Sequence, residues 1–119
     1  MNPSDQTRYL LALEIAKRIR ESPEEAREVI KILLSNIAKL SEKKLNTAGD
    51  AEWLTILNTQ SPEKIADIIE SKSDKSQRLR SNLRGYGVIP DEQRLMILQI
   101  ANRLRSDSHE EHLEKNENS

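Results

Sequence analysis

The stretch QRLRSNLRGYGVIPDEQR, residues 77–94, sets Gln77, Arg78, Arg80, Arg84 and Arg94 around two glycines and a tyrosine. Guanidinium groups stay charged at any physiological pH. They present a planar fork of donors that suits phosphates, carboxylates and carbonyls. Tyr86 lies between Gly85 and Gly87, whose small size exposes an aromatic ring, and Tyr and Arg are both enriched at binding hot spots. Three readings follow from these residues: a hand for phosphates, a grip on a partner protein, or an ordinary corner between two helices. For Tyr86 the alternative to contact is a ring folded back over Trp53 or Ile89.

Nothing else in the chain suggests catalysis. There is no cysteine, so thiolate chemistry and disulfides are excluded. The two histidines, His109 and His112, sit in a polar HEEH segment without the spacing or helical setting of a zinc-protease motif. No carboxylate pair lies in an apolar stretch that would shift its pKa; Glu14, the nearest case, is accounted for by an ion pair on a helix flank. Gly85-x-Gly87 follows no predicted strand and makes no phosphate loop. The expectation is a protein that is not an enzyme and carries no cofactor or metal.

The elements that must position the arginines are helices. Ala, Leu, Ile, Glu, Lys and Arg dominate, and the apolar residues recur at three and four. A first helix begins after Ser4 and carries Tyr9, Ala12, Leu13, Ala16 and Ile19. SPEE at 22–25 starts a second, with Ser22 as cap and Pro23 in the first turn. Only Glu21 and Ser22 separate them, so the two form an antiparallel hairpin. Asp50 caps a short helix bearing Trp53, Leu54, Ile56 and Leu57, and Ser61 with Pro62 starts another. Ser73 or Asp74 begins a helix through Leu79 and Leu83 that Gly85 ends. Val88 and Ile89 tuck inward, and a longer last helix starts near Pro90 or Asp91. The predicted fold is all-α: one helical domain over 1–105, then a disordered acidic tail over 106–119.

Charge is unevenly distributed along this frame. Ten Lys and Arg oppose twelve Asp and Glu over residues 1–70, eight oppose three over 71–105, and one opposes five over 106–119. A basic segment thus precedes an acidic tail, although the whole chain carries only −1. No stretch approaches the ~20 apolar residues a membrane span needs. The start of the chain has no signal-type apolar run, so a cytoplasmic location is expected.

Two binding modes use the basic segment differently. Helices at 62–70 and 74–84 would form a helix-turn-helix, with Ser73, Ser76, Gln77, Arg80 and Ser81 outward and Lys72, Lys75, Arg78 and Arg84 supplying charge to DNA. Such a protein could be a homodimer through the apolar hairpin. In the other mode the arginines meet acidic groups or carbonyls of a protein and Tyr86 anchors.

The order EWLTIL, SPEKIADII, QRLR, GVIPDEQRLMIL resembles a group of small helical bacterial proteins, some encoded beside toxin genes. The matching residues are Trp53, Pro62, Gln77, Arg78, Leu79, Arg80, Gly87, Val88, Glu92 and Arg94, within residues 53–98. A Pro-Phe pair usual before the glycine turn is replaced here by Arg84 and Gly85, and Pro90 falls one residue early. The resemblance implies an antitoxin-like inhibitor whose partner is a toxin protein. The expected function is therefore non-catalytic partner binding through Gln77, Arg78, Arg80, Arg84, Tyr86 and Arg94. A DNA-binding regulator is the alternative.

Overall fold

A computed structural model describes the backbone of residues 3–117 and the side chains of residues 6–104. Six helices follow one another: α1 Pro3–Glu21, α2 Pro23–Glu42, α3 Ala48–Thr59, α4 Pro62–Glu70, α5 Asp74–Ser81 and α6 Asp91–Glu117. There is no strand among the described residues, and the all-α class predicted from periodicity is the one observed. None of these helices is long and apolar enough to cross a membrane. Helix α1 begins at Pro3 rather than after Ser4, and the expected tail over 106–119 lies outside the described side chains.

Local chemistry sets most helix starts. Ser22, Ser61 and Ser73 each accept a hydrogen bond from the backbone N–H three residues on, satisfying a donor the first turn leaves open. Pro23 and Pro62 occupy first-turn positions, where a missing N–H costs nothing. Asp50 differs from its expected role. Thr47 is the cap of α3, and Asp50, three residues on, returns its carboxylate to the Thr47 N–H at 2.8 Å to complete a capping box. At the end of α2, Lys44 adopts φ 57°, a left-handed conformation, and its N–H donates to the Ser41 carbonyl.

Helix α1 is the centre of the molecule and packs against α2, α4, α5 and α6. Its buried face alternates Ala12, Ile15, Ala16 and Ile19, and the alanines let neighbouring helices approach closely. Val29, Leu33 and Ile37 of α2, Trp53 and Leu57 of α3, Ile65 and Ile69 of α4 and Leu79 of α5 complete the core. Burying each of these aliphatic side chains contributes about 1.5–3 kcal/mol before entropy is counted. Trp53 is fully buried, and its indole N–H donates to the Leu79 carbonyl at 2.8 Å, so the largest core group leaves no donor unpaired. On the other side of α1, Gln93 of α6 donates to Glu14 at 2.7 Å and accepts from Arg18. Arg18 also lies 3.4 Å from Glu14, which places the latter in the expected helix-flank pair.

Candidate functional site

The basic stretch forms α5, the turn after it and the first turn of α6, and its residues do not act as one group. Gln77 and Arg78 lie on the outer side of α5 beside Asp74 and Ser81. Arg78 makes a two-pronged pair with Glu52 of α3, at 2.6 and 3.1 Å, and that guanidinium holds the Glu52 carboxyl below the usual carboxylate range.

Arg80 departs from the outward orientation of the helix-turn-helix reading. It is 6% exposed, and its guanidinium donates to the Ile69 carbonyl at 2.9 Å and to the Ser71 carbonyl. The last carbonyls of a helix have no intrahelical partner and carry partial negative charge, so a cation there is favourable. Arg80 thus closes the C-terminal end of α4. The Tyr9 hydroxyl donates to the Glu70 carbonyl at 3.0 Å, and the Tyr9 ring lies 4.5 Å from the Arg80 guanidinium carbon. Ser76, also expected to face outward, is buried.

Arg84 is a latch. Its Nε and Nη2 donate to the two carboxylate oxygens of Asp50, at 2.9 and 3.2 Å, and Asp50 is fully buried. That contact, with the Thr47 bonds, holds the Asp50 carboxyl below its ordinary range despite burial. A second clamp comes from α2: the Asn36 side-chain amide donates to the carbonyls of Arg84 at 2.8 Å and Tyr86 at 2.9 Å. Val88 and Ile89 are buried just beyond, as their apolar character predicts.

Between these anchors, residues 85–88 form a tight turn closed by the Val88 N–H on the Gly85 carbonyl. Gly87 has φ 81°, the positive value that the third position of a type II turn requires. Tyr86, at the second position, is 70% exposed, so its ring does not fold back over Trp53 or Ile89. Beneath the turn lies a cavity of about 270 Å³ between α1, the turn and α6. Its apolar lining comes from Leu11, Ile15, Leu83 and Ile89. Its polar lining comes from Arg8, Arg80, Tyr86, Asp91 and Arg94. Among the described residues no carboxylate pairs with Arg94.

The structure therefore brings together Arg80, Tyr86 and Arg94 of the expected set. It assigns Arg84 to holding the turn and leaves Gln77 and Arg78 on a separate face. Sequence reading missed Arg8, which stands three and four residues before Leu11 and Ala12 on the same side of α1; that spacing gives the face of the helix but not its approach to the turn, so no signal in the sequence could have found it. No group of three potential metal ligands occurs among the described residues, and His109 and His112 lie outside the described side chains. No protein-family model, curated protein or solved structure matches this chain.

Proposed function

We propose that this chain is a non-catalytic binding protein that grips a partner protein at the corner between α5 and α6. Tyr86 is the anchor, and Arg94 at the cavity mouth pairs with an acidic or carbonyl group beside an apolar one. The observation that carries this reading is the presentation of Tyr86. Its ring is exposed while the turn beneath is clamped by Asn36 and by the Arg84–Asp50 pair. A ring held out on a fixed backbone loses little entropy on binding, which is how aromatic hot spots gain affinity. The finer reading, an antitoxin-like inhibitor of a toxin in the bacterial cytoplasm, rests on the resemblance over residues 53–98.

The helix-turn-helix alternative has α4 and α5 in suitable order, but two of its five outward-facing residues, Ser76 and Arg80, are buried. Arg78, one of its charge donors, is engaged by Glu52.

Capture of partners by the tagged chain from lysate, at moderate salt and after nuclease treatment, tests the proposal when repeated with Tyr86→Ala and Arg94→Glu. One stoichiometric protein is expected. Loss of a hot-spot aromatic costs about 2 kcal/mol or more, a drop in affinity of roughly 30-fold. Nucleic acid captured without protein, or a protein retained equally by both variants, would overturn it.

A further inference from the structure

We infer that the cavity beneath the turn is a binding site for a small monocarboxylate whose apolar body is about the size of a phenyl ring. The site shares Arg94 with the partner-binding corner, but it needs neither a partner protein nor the Tyr86 anchor.

The cavity has an apolar floor and a polar rim. Ala12, Ile15 and Ile89 are buried, with half-buried Leu11 and Leu83 beside them. Arg8, Tyr86, Asp91 and Arg94 are all exposed at its mouth. An apolar hollow with a few polar groups converging on it is the ordinary form of a small-molecule site. A Cβ on Gly85 would stand 2.7 Å from Ile15 Cδ1, so the chain closes directly onto α1 at the edge of the cavity. Asn36 and the Arg84–Asp50 pair hold the turn in place. The cavity is therefore formed before a ligand arrives, and little ordering entropy opposes binding.

Size and charge define the ligand. An apolar cavity of about 150 Å³ accommodates benzene. The volume of about 270 Å³ here has room for a ring and a short acid chain. Three arginines and one aspartate line it, a formal charge of +2, which favours an anion. Arg80, the buried one, is already bonded to carbonyls at the end of α4. Arg94 is placed to take the head group: it stands at the rim, and none of the ion pairs among the described residues involves it. Its planar fork matches the two oxygens of a carboxylate. Asp91, three residues earlier on the same side of α6, repels a second negative charge, so a monoanion is preferred to a phosphoryl dianion. The walls come from three segments, α1, the turn and α6, which suits a compact molecule better than a chain passing through.

Titration of the full chain with 3-phenylpropionate, followed by the NMR shifts of Ile and Leu methyl groups, tests the assignment. Saturable shifts at Leu11, Ile15, Leu83 and Ile89 are expected, with a Kd of roughly 0.1–1 mM for a ligand of this size. Arg94→Ala should weaken binding by about tenfold, since it removes a charge-assisted pair. Arg78→Ala removes an equal charge from the outer side of α5 and should leave Kd unchanged. The alcohol 3-phenylpropanol, of the same shape without the charge, should bind about tenfold more weakly. Leu11→Trp, which fills the cavity from a half-buried position, should abolish binding; the exposed Arg94 provides a test that does not depend on that variant folding. The absence of saturable shifts up to about 10 mM would overturn the inference. Equal weakening by Arg78→Ala and Arg94→Ala would reduce it to unspecific attraction, and an alcohol bound as tightly as the acid would remove the carboxylate from it. N-acetylphenylalanine bound tenfold more tightly than 3-phenylpropionate would assign the cavity to the last residue of a polypeptide and overturn it too.

Discussion

Replacing Arg84 by alanine tests the account of the corner most directly. Asp50 is fully buried, and its carboxylate is matched by the Arg84 fork and by the Thr47 cap. Removing one partner of a buried pair costs about 3–5 kcal/mol, because the remaining charge keeps its desolvation penalty and loses its compensation. Arg84 is 22% exposed, and the Thr47 bonds survive its loss, so the lower end of that range applies. About 3 kcal/mol, at roughly 4–8 °C per kcal/mol for a domain of this size, lowers Tm by about 12–24 °C. Arg78→Ala is the control. It removes an equally well-formed two-pronged contact with Glu52, but the pair is exposed, with side-chain accessibilities of 52 and 39%. Water replaces that contact, and Tm should stay close to wild type. Thermal and urea unfolding of the three proteins at pH 7 would decide. Equal losses for the two alanine variants would refute the claim that burial of Asp50, rather than the number of hydrogen bonds, sets the cost.

Acid should expose the same linkage. The Asp50 pKa is depressed in the folded state, chiefly by Arg84, so its contribution is fully present above the ordinary aspartate range near pH 4. It is lost as pH falls through the lower folded-state value. In Arg84→Ala the buried carboxyl loses that support, and the stability gap to wild type should narrow between pH 7 and about pH 3.5, measured by urea midpoints. At the end of α2, Lys44 takes a left-handed φ of 57° that costs a non-glycine residue about 1–2 kcal/mol. Lys44→Gly should therefore raise stability by roughly 0.5–1 kcal/mol net of its greater unfolded-state entropy, read as a higher urea midpoint at unchanged slope.

Helix starts governed by neighbours two or three residues apart were legible in the sequence. Ser22 with Pro23 and Ser61 with Pro62 act through local hydrogen bonds that no distant contact overrides. Asp50 was harder, since Thr47 and Asp50 are both competent caps within one turn. The choice is tied to Arg84, 34 residues away, which engages the carboxylate from the other side. Arg80 was misplaced for a related reason. Between Leu79 and the polar Ser81 and Asn82 it resembles a solvent-facing position, and only the arrival of the α4 carbonyls overhead makes burial of its charge favourable. At the site, Tyr86 and Arg94 could be picked out from type and spacing. Arg8 could not, because its membership depends on α1 crossing beneath the turn, a relation between segments more than 70 residues apart.

The way the turn at 85–88 is fastened also separates two tasks that many binding loops entangle. Every clamp on it grips something other than the Tyr86 side chain: Asn36 takes the backbone carbonyls of residues 84 and 86, Asp50 takes the Arg84 head, and the tightness of the bend belongs to Gly87. Position 86 can therefore be exchanged without loosening the frame that displays it. A lineage of such chains could drift from one partner to another by changing a single side chain at the tip, while selection for folding held Asn36, Asp50, Arg84 and Gly87 constant.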